Sequence, residues 1–107
     1  MSEPRADLRR YPRARVAWKV IVDMPGSRPR MRRTVDVSPF GVKIRWDGRM
    51  ADGLAARLSF STPDRLPFQV NAVVLRSDAV GPVFVFVGIT DAQITRMKLL
   101  VDSYRAI

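Results

Sequence analysis

Asp36-Val37-Ser38-Pro39-Phe40-Gly41 is the stretch whose reading decides the fold. Proline suits the second position of a type I turn and glycine its fourth, so Ser38 to Gly41 reads as a tight turn. Before it, Met31, Arg33, Val35 and Val37 share one face of a strand-like run. After it, Val42, Ile44 and Trp46 alternate with Lys43 and Arg45. Alternation of period two on both sides of a turn predicts a β-hairpin, Met31 to Val37 and Val42 to Trp46. The hairpin presents a carboxylate, Asp36, and a hydroxyl, Ser38, at its tip.

Working outward, Val16 to Asp23 reads as a strand with Val16, Trp18, Val20 and Val22 on one face. Met24-Pro25-Gly26-Ser27 ends it with turn chemistry. Downstream, Leu54 to Phe60 and Phe68 to Arg76 alternate, with Leu58, Phe60, Phe68, Val70, Ala72 and Val74 inward. Val83 to Ile89 is a near-continuous apolar run, as in a fully buried strand. Thr90 and Gln93 have capping-box spacing for a helix. Ile94, Met97, Leu100, Val101 and Tyr104 then form an apolar stripe that would dock on the sheet. Six short strands and one helix predict an all-β, six-stranded antiparallel barrel, closed or nearly so, with a C-terminal helix. The expected core includes Trp18, Trp46, Phe60, Phe68, Phe84 and Phe86. The expected layout is a flexible N-terminal tail over 1–8 and a single domain over 9–107, with the barrel at about 14–89 and the helix at about 91–105.

Composition excludes several function classes. The 107 residues contain no cysteine and no histidine, so thiolate chemistry and the usual zinc ligands are absent. The available acids are nine aspartates and Glu3, several of them in turns where aspartate is simply a good turn residue. No nucleophile is paired with a base, and there is no P-loop. The chain therefore reads as a non-enzyme without cofactor or metal. The N-terminus lacks an apolar signal-peptide core and no run is long enough to span a membrane, so a cytoplasmic location without membrane insertion is expected.

Net charge is +9, and of nineteen basic residues only Lys19, Lys43 and Lys98 are lysine. This argues for an anionic partner without choosing among nucleic acid, nucleotide and membrane. Arg9-Arg10-Tyr11-Pro12-Arg13 clusters guanidinium groups ahead of the first strand. An arginine fork matches the O6 and N7 acceptors of guanine, or a phosphate. A carboxylate matches the N1–H and N2 donors. Arg9, Arg10 and Arg13 supply forks, Asp36 the carboxylate and Ser38 a hydroxyl, while Gly41 permits positive φ and close ligand approach. The set is complementary to an anionic, base-bearing ligand. Taken alone, the turn favours a plainer reading, in which Asp36 and Ser38 bond its own backbone. A small basic barrel binding RNA or single-stranded DNA is the alternative. Against it, the aromatics alternate inward and form no stacking platform.

These two motifs resemble those of the PilZ domain family, bacterial receptors for cyclic di-GMP. Arg9 to Arg13 fits the family's RxxxR, with the doubled arginine often seen at its start. Asp36 to Gly41 fits its (D/N)xSxxG. Gly53 before a strand, Val73-Val74 and Val87-Gly88-Ile89 agree with the resemblance, which covers nearly the whole chain. It implies a PilZ-type split barrel and a non-enzymatic switch. Arg9 and Arg13 would grip guanine edges and phosphates, and Arg10 would add a contact. Asp36 and Ser38 would hold a guanine, and Gly41 would keep the turn open. The implied partners are cyclic di-GMP and an unidentified regulatory protein, with the chain a monomer or weak homodimer and nucleic acid disfavoured. Motility, exopolysaccharide or virulence outputs all suit such a switch, and a ligand-independent adaptor is the other family role. Leu8 precedes Arg9 where an arginine helps capture a second ligand, which implies one cyclic di-GMP per chain. Arg76 lies near a position where some members carry an aromatic residue.

Overall fold

A computed structural model describes residues 12–105. Six strands form: β1 (Lys19–Asp23), β2 (Arg30–Val37), β3 (Gly41–Ile44), β4 (Ala55–Phe60), β5 (Phe68–Ser77) and β6 (Pro82–Val87), followed by helix α1 (Asp91–Arg105). They close into an antiparallel barrel in the order β1-β2-β3-β6-β5-β4. Closure removes unpaired edges and leaves every strand an inner and an outer face.

The inner faces supply the core. Val20, Val22, Leu58, Phe60, Phe68, Val70, Ala72, Val74, Phe84 and Phe86 are all buried. Phe60 meets Phe68 and Phe86 edge-on, with centroids 5.8 and 6.0 Å apart. Trp18 and Trp46 are buried as expected. The guanidinium groups of Arg32 and Arg30 lie 4.7 and 5.8 Å from the Trp46 ring centre, so this indole is covered by cations.

α1 docks through Met97 and Val101, both fully buried. Its capping box forms. Gln93 N donates to Thr90 Oγ1 and Thr90 N to Gln93 Oε1, each at 3.1 Å. Arg96 fastens the helix to the β4–β5 loop, donating to both Asp64 carboxylate oxygens at 2.7 Å and to the Pro67 carbonyl at 2.7 Å. The Arg96 bonds first, then one donated by the Thr62 hydroxyl, hold the Asp64 carboxyl well below the usual carboxylate range. In the last turn, Trp18 Nε1 donates to the Tyr104 hydroxyl at 3.3 Å.

Three local readings need correction. In β2, Thr34 and Val37 are buried, whereas Met31 and Arg33 are exposed and Val35 is half-buried. The cause is a β-bulge. Thr34 pairs with Ile44 and Asp36 with Lys43, leaving Val35 as the extra residue and shifting the phase by one. The first strand begins at Lys19 rather than Val16. Residues 14–18 still alternate in burial but join β2 partly through a side chain. Trp18 N donates to Thr34 Oγ1 at 2.9 Å, and that hydroxyl donates to the Val16 carbonyl. The last strand stops at Val87, which is exposed, so the run is not buried along its whole length.

Candidate functional site

The bulge does more than bend β2. Positions 32 and 34 point toward the barrel interior, so an unbroken strand would turn Asp36 inward as well. The extra residue re-aims it. Asp36 stands on the outer face opposite Lys43, and Val37 fills the core opposite Val42.

Val37 also receives the N-terminal segment. Ala14 N donates to the Val37 carbonyl and Val37 N to the Ala14 carbonyl, both at 2.9 Å. This two-bond bridge fixes Arg13 beside the end of β2. Arg13 Nη1 lies 3.5 Å from Asp36 Oδ1, with the two side chains 44% and 21% exposed. That separation makes an ion pair rather than a hydrogen bond, and both groups remain reachable from solvent. One member of each motif is therefore in contact. Arg9, Arg10 and Leu8 lie outside the described residues.

The turn shows what its other residues do. Ser38 N donates to the Gly41 carbonyl at 2.9 Å, closing the hairpin. Ser38 Oγ accepts from Gly41 N at 3.1 Å and Phe40 N at 3.3 Å, and lies 3.2 Å from the Gly41 carbonyl. Ser38 is buried, and its hydroxyl is engaged by the turn backbone. The left-handed conformation expected at Gly41 does not occur, since Gly41 is not among the positive-φ residues. Its need for glycine comes from packing. A Cβ there would lie 2.5 Å from the backbone carbonyl oxygen of Phe84 on β6.

The outer face continues from this turn in register. Gly41 pairs with Val85, and Val85 with Val73. Lys43 pairs with Val83, and Val83 with Arg76. Asp36, Lys43 and Arg76 thus lie along one row across the outside of β2, β3, β6 and β5. Lys43 Nζ donates to Asp78 Oδ2 at 2.6 Å. Asp78 Oδ1 accepts from Val80 N at 2.9 Å and Gly81 N at 3.2 Å. The Lys43 bond, then those backbone bonds, lower the Asp78 carboxyl to about 2. Sequence reading missed Lys43, whose signal is its place two residues past Gly41 on the outward phase of β3. It also missed Thr34, because a threonine on an interior position breaks the apolar code.

Chemically, the site offers fixed charges of both signs beside half-buried Val85 and Val73 and buried Val83. Among the described residues, no cluster of three or more His, Cys, Asp or Glu side chains is placed to hold a metal. No described helix is long and apolar enough to cross a membrane.

No family model matches the chain, and no curated protein matches it significantly. Solved structures do. The Bacillus subtilis inhibitor of motility, MotI/DgrA, superposes with a TM-score of 0.79 at 16% identity, covering 91% of this chain and 50% of that one. The chain thus spans about half the length of the Bacillus protein. The PilZ domain of CeSA from a cellulose-synthesizing bacterium gives 0.68 at 18% identity, over 88% of this chain and 98% of that one. The PilZ domain of Escherichia coli YcgR with c-di-GMP gives 0.73 at 12% identity, over 91% of each chain. At these identities the likeness is one of architecture, and by architecture this chain is a PilZ-type six-stranded barrel with a C-terminal helix.

Proposed function

We propose that this chain binds cyclic di-GMP on the outer face of its barrel and acts as a non-enzymatic regulatory switch. The observation that carries the reading is the Ala14–Val37 bridge, which sets Arg13 of one motif against Asp36 of the other. The E. coli PilZ domain with c-di-GMP, similar in fold, supports the choice of ligand.

In this reading Asp36 accepts from the guanine N1–H and N2 amine, releasing Arg13 to a phosphate or to the guanine O6 and N7 edge. Arg9 and Arg10 add guanidinium contacts, on the strength of the sequence motif alone. Ser38 acts chiefly by holding the turn that aims Asp36, and Gly41 by letting β3 close on β6. One ligand is held per chain, as Leu8 implies. Engagement of the arginine segment alters the surface offered to a regulatory protein partner, and the output lies with that partner.

Isothermal titration of the full chain with cyclic di-GMP tests the reading. Saturable binding is expected, weakened strongly in Arg13→Ala and Asp36→Ala. A folded chain that releases no heat on titration refutes it. Binding of single-stranded nucleic acid that cyclic di-GMP does not compete would favour the basic-barrel alternative instead.

A further inference from the structure

We infer that Lys43 is an additional phosphate-binding residue of this same surface, held away from it by Asp78 until an anionic ligand arrives. The inference rests on the cyclic di-GMP reading and extends it to a residue outside both motifs.

The geometry is specific. Lys43 is the cross-strand partner of Asp36, on the outward phase of β3, two residues past Gly41. Residues directly opposite in an antiparallel pair project to the same side, within reach of one another. An oppositely charged lysine and aspartate so placed would ordinarily pair. Here they do not: Asp36 faces Arg13 at 3.5 Å, and Lys43 reaches the other way to Asp78 at 2.6 Å. Two separate ion pairs therefore divide what one row of charges could hold in common.

Asp78 is well suited to this holding role. Its second carboxylate oxygen is anchored by two backbone N–H groups of the β5–β6 turn, so the carboxylate stays put while the lysine can swing. Lys43 ends a flexible four-carbon stem with rotatable donors, which suits exchange of one anion for another. Its side chain is only 18% exposed, lying along the barrel wall near Val83. Arg76, across Val83 in the same row, is exposed and has no ion-pair partner among the described residues. A ligand bound at Asp36 and extending over Val85 and Val83 would bring its phosphate toward Lys43. The ammonium would then leave Asp78 for the phosphate. Asp78 acts as a built-in competitor that lowers affinity for every anion at this site.

The test is a double-mutant cycle read by titration with cyclic di-GMP, with thermal melts confirming folding. Lys43→Gln is expected to weaken binding about tenfold, and Lys43→Arg to retain most of it. Asp78→Asn keeps the oxygen that caps the turn but drops the charge, and should tighten binding roughly threefold. In the Lys43→Gln background, Asp78→Asn should change nothing, which separates release of Lys43 from a general gain of positive charge. Unchanged affinity in Lys43→Gln, or equal tightening by Asp78→Asn in both backgrounds, overturns the inference while the ligand reading stands. Absence of binding by the unaltered chain overturns both.

Discussion

Replacing Thr34 by valine removes one hydroxyl and keeps the side-chain shape. That hydroxyl accepts from Trp18 N at 2.9 Å and donates to the Val16 carbonyl. Thr34 is 3% exposed, and Val16 and Trp18 are 8% and 7% exposed, so water does not easily replace it. Each orphaned buried group costs about 1–3 kcal/mol, so the pair costs about 2–6 kcal/mol. For a domain of this size, at about 4 °C or more per kcal/mol, that lowers the melting temperature by at least roughly 8 °C. The same loss frees the chain just after Ala14, which places Arg13. Ligand affinity should therefore fall too, although Thr34 lies outside the site. The assay is a thermal melt followed by a cyclic di-GMP titration well below the new midpoint. Thr34→Ser, which keeps the hydroxyl, should restore most of both. A valine variant melting within about 3 °C of the unaltered chain would refute the reasoning, because it would mean the hydroxyl does not tie the segment to β2.

Other outcomes follow from the same geometry. Gly41→Ala should cost about 1–3 kcal/mol through the clash with the Phe84 carbonyl, read as a lowered urea midpoint, and should weaken ligand binding by shifting the turn. Arg13→Ala and Asp36→Ala should each weaken cyclic di-GMP binding about tenfold or more while barely moving the melting temperature, since a 3.5 Å half-exposed pair contributes little to folding. Asp64→Asn should destabilise the chain at neutral pH by releasing Arg96. The folded-state carboxyl titrates below its unfolded value of about 3.9, so its contribution is complete above that value and is lost as pH falls beneath it. Urea melts of both chains should therefore converge as pH drops below about 4, and a gap independent of pH there would contradict the assignment.

Much of the barrel was legible because most strands obey period two. Leu58 with Phe60, and Phe68 through Val74, alternate without interruption and pack inward. The Thr90–Gln93 box and the Met97–Val101 stripe fixed the helix in the same way. What hydropathy did not reveal is the bulge at Val35. A single extra residue has no compositional signature, yet it moves Thr34 inward and turns Asp36 outward. Spacing placed the turn correctly but assigned Gly41 a conformational role when its constraint is steric, imposed by a strand more than forty positions later. The site was half legible. The motifs named Arg13 and Asp36, and the fold brings them together, but their joint is a backbone bridge that no side chain announces. Lys43 and Asp78 stayed hidden because their meeting depends on the β3–β6 register rather than on nearby sequence.

The most direct measurement is titration of the full chain with cyclic di-GMP in parallel with its Asp36→Ala variant, reading affinity and stoichiometry from one curve. The account predicts saturable binding at one ligand per chain, reduced at least tenfold in the variant while the fold is retained. An unaltered, folded chain that does not bind, or a variant that binds equally well, would contradict it.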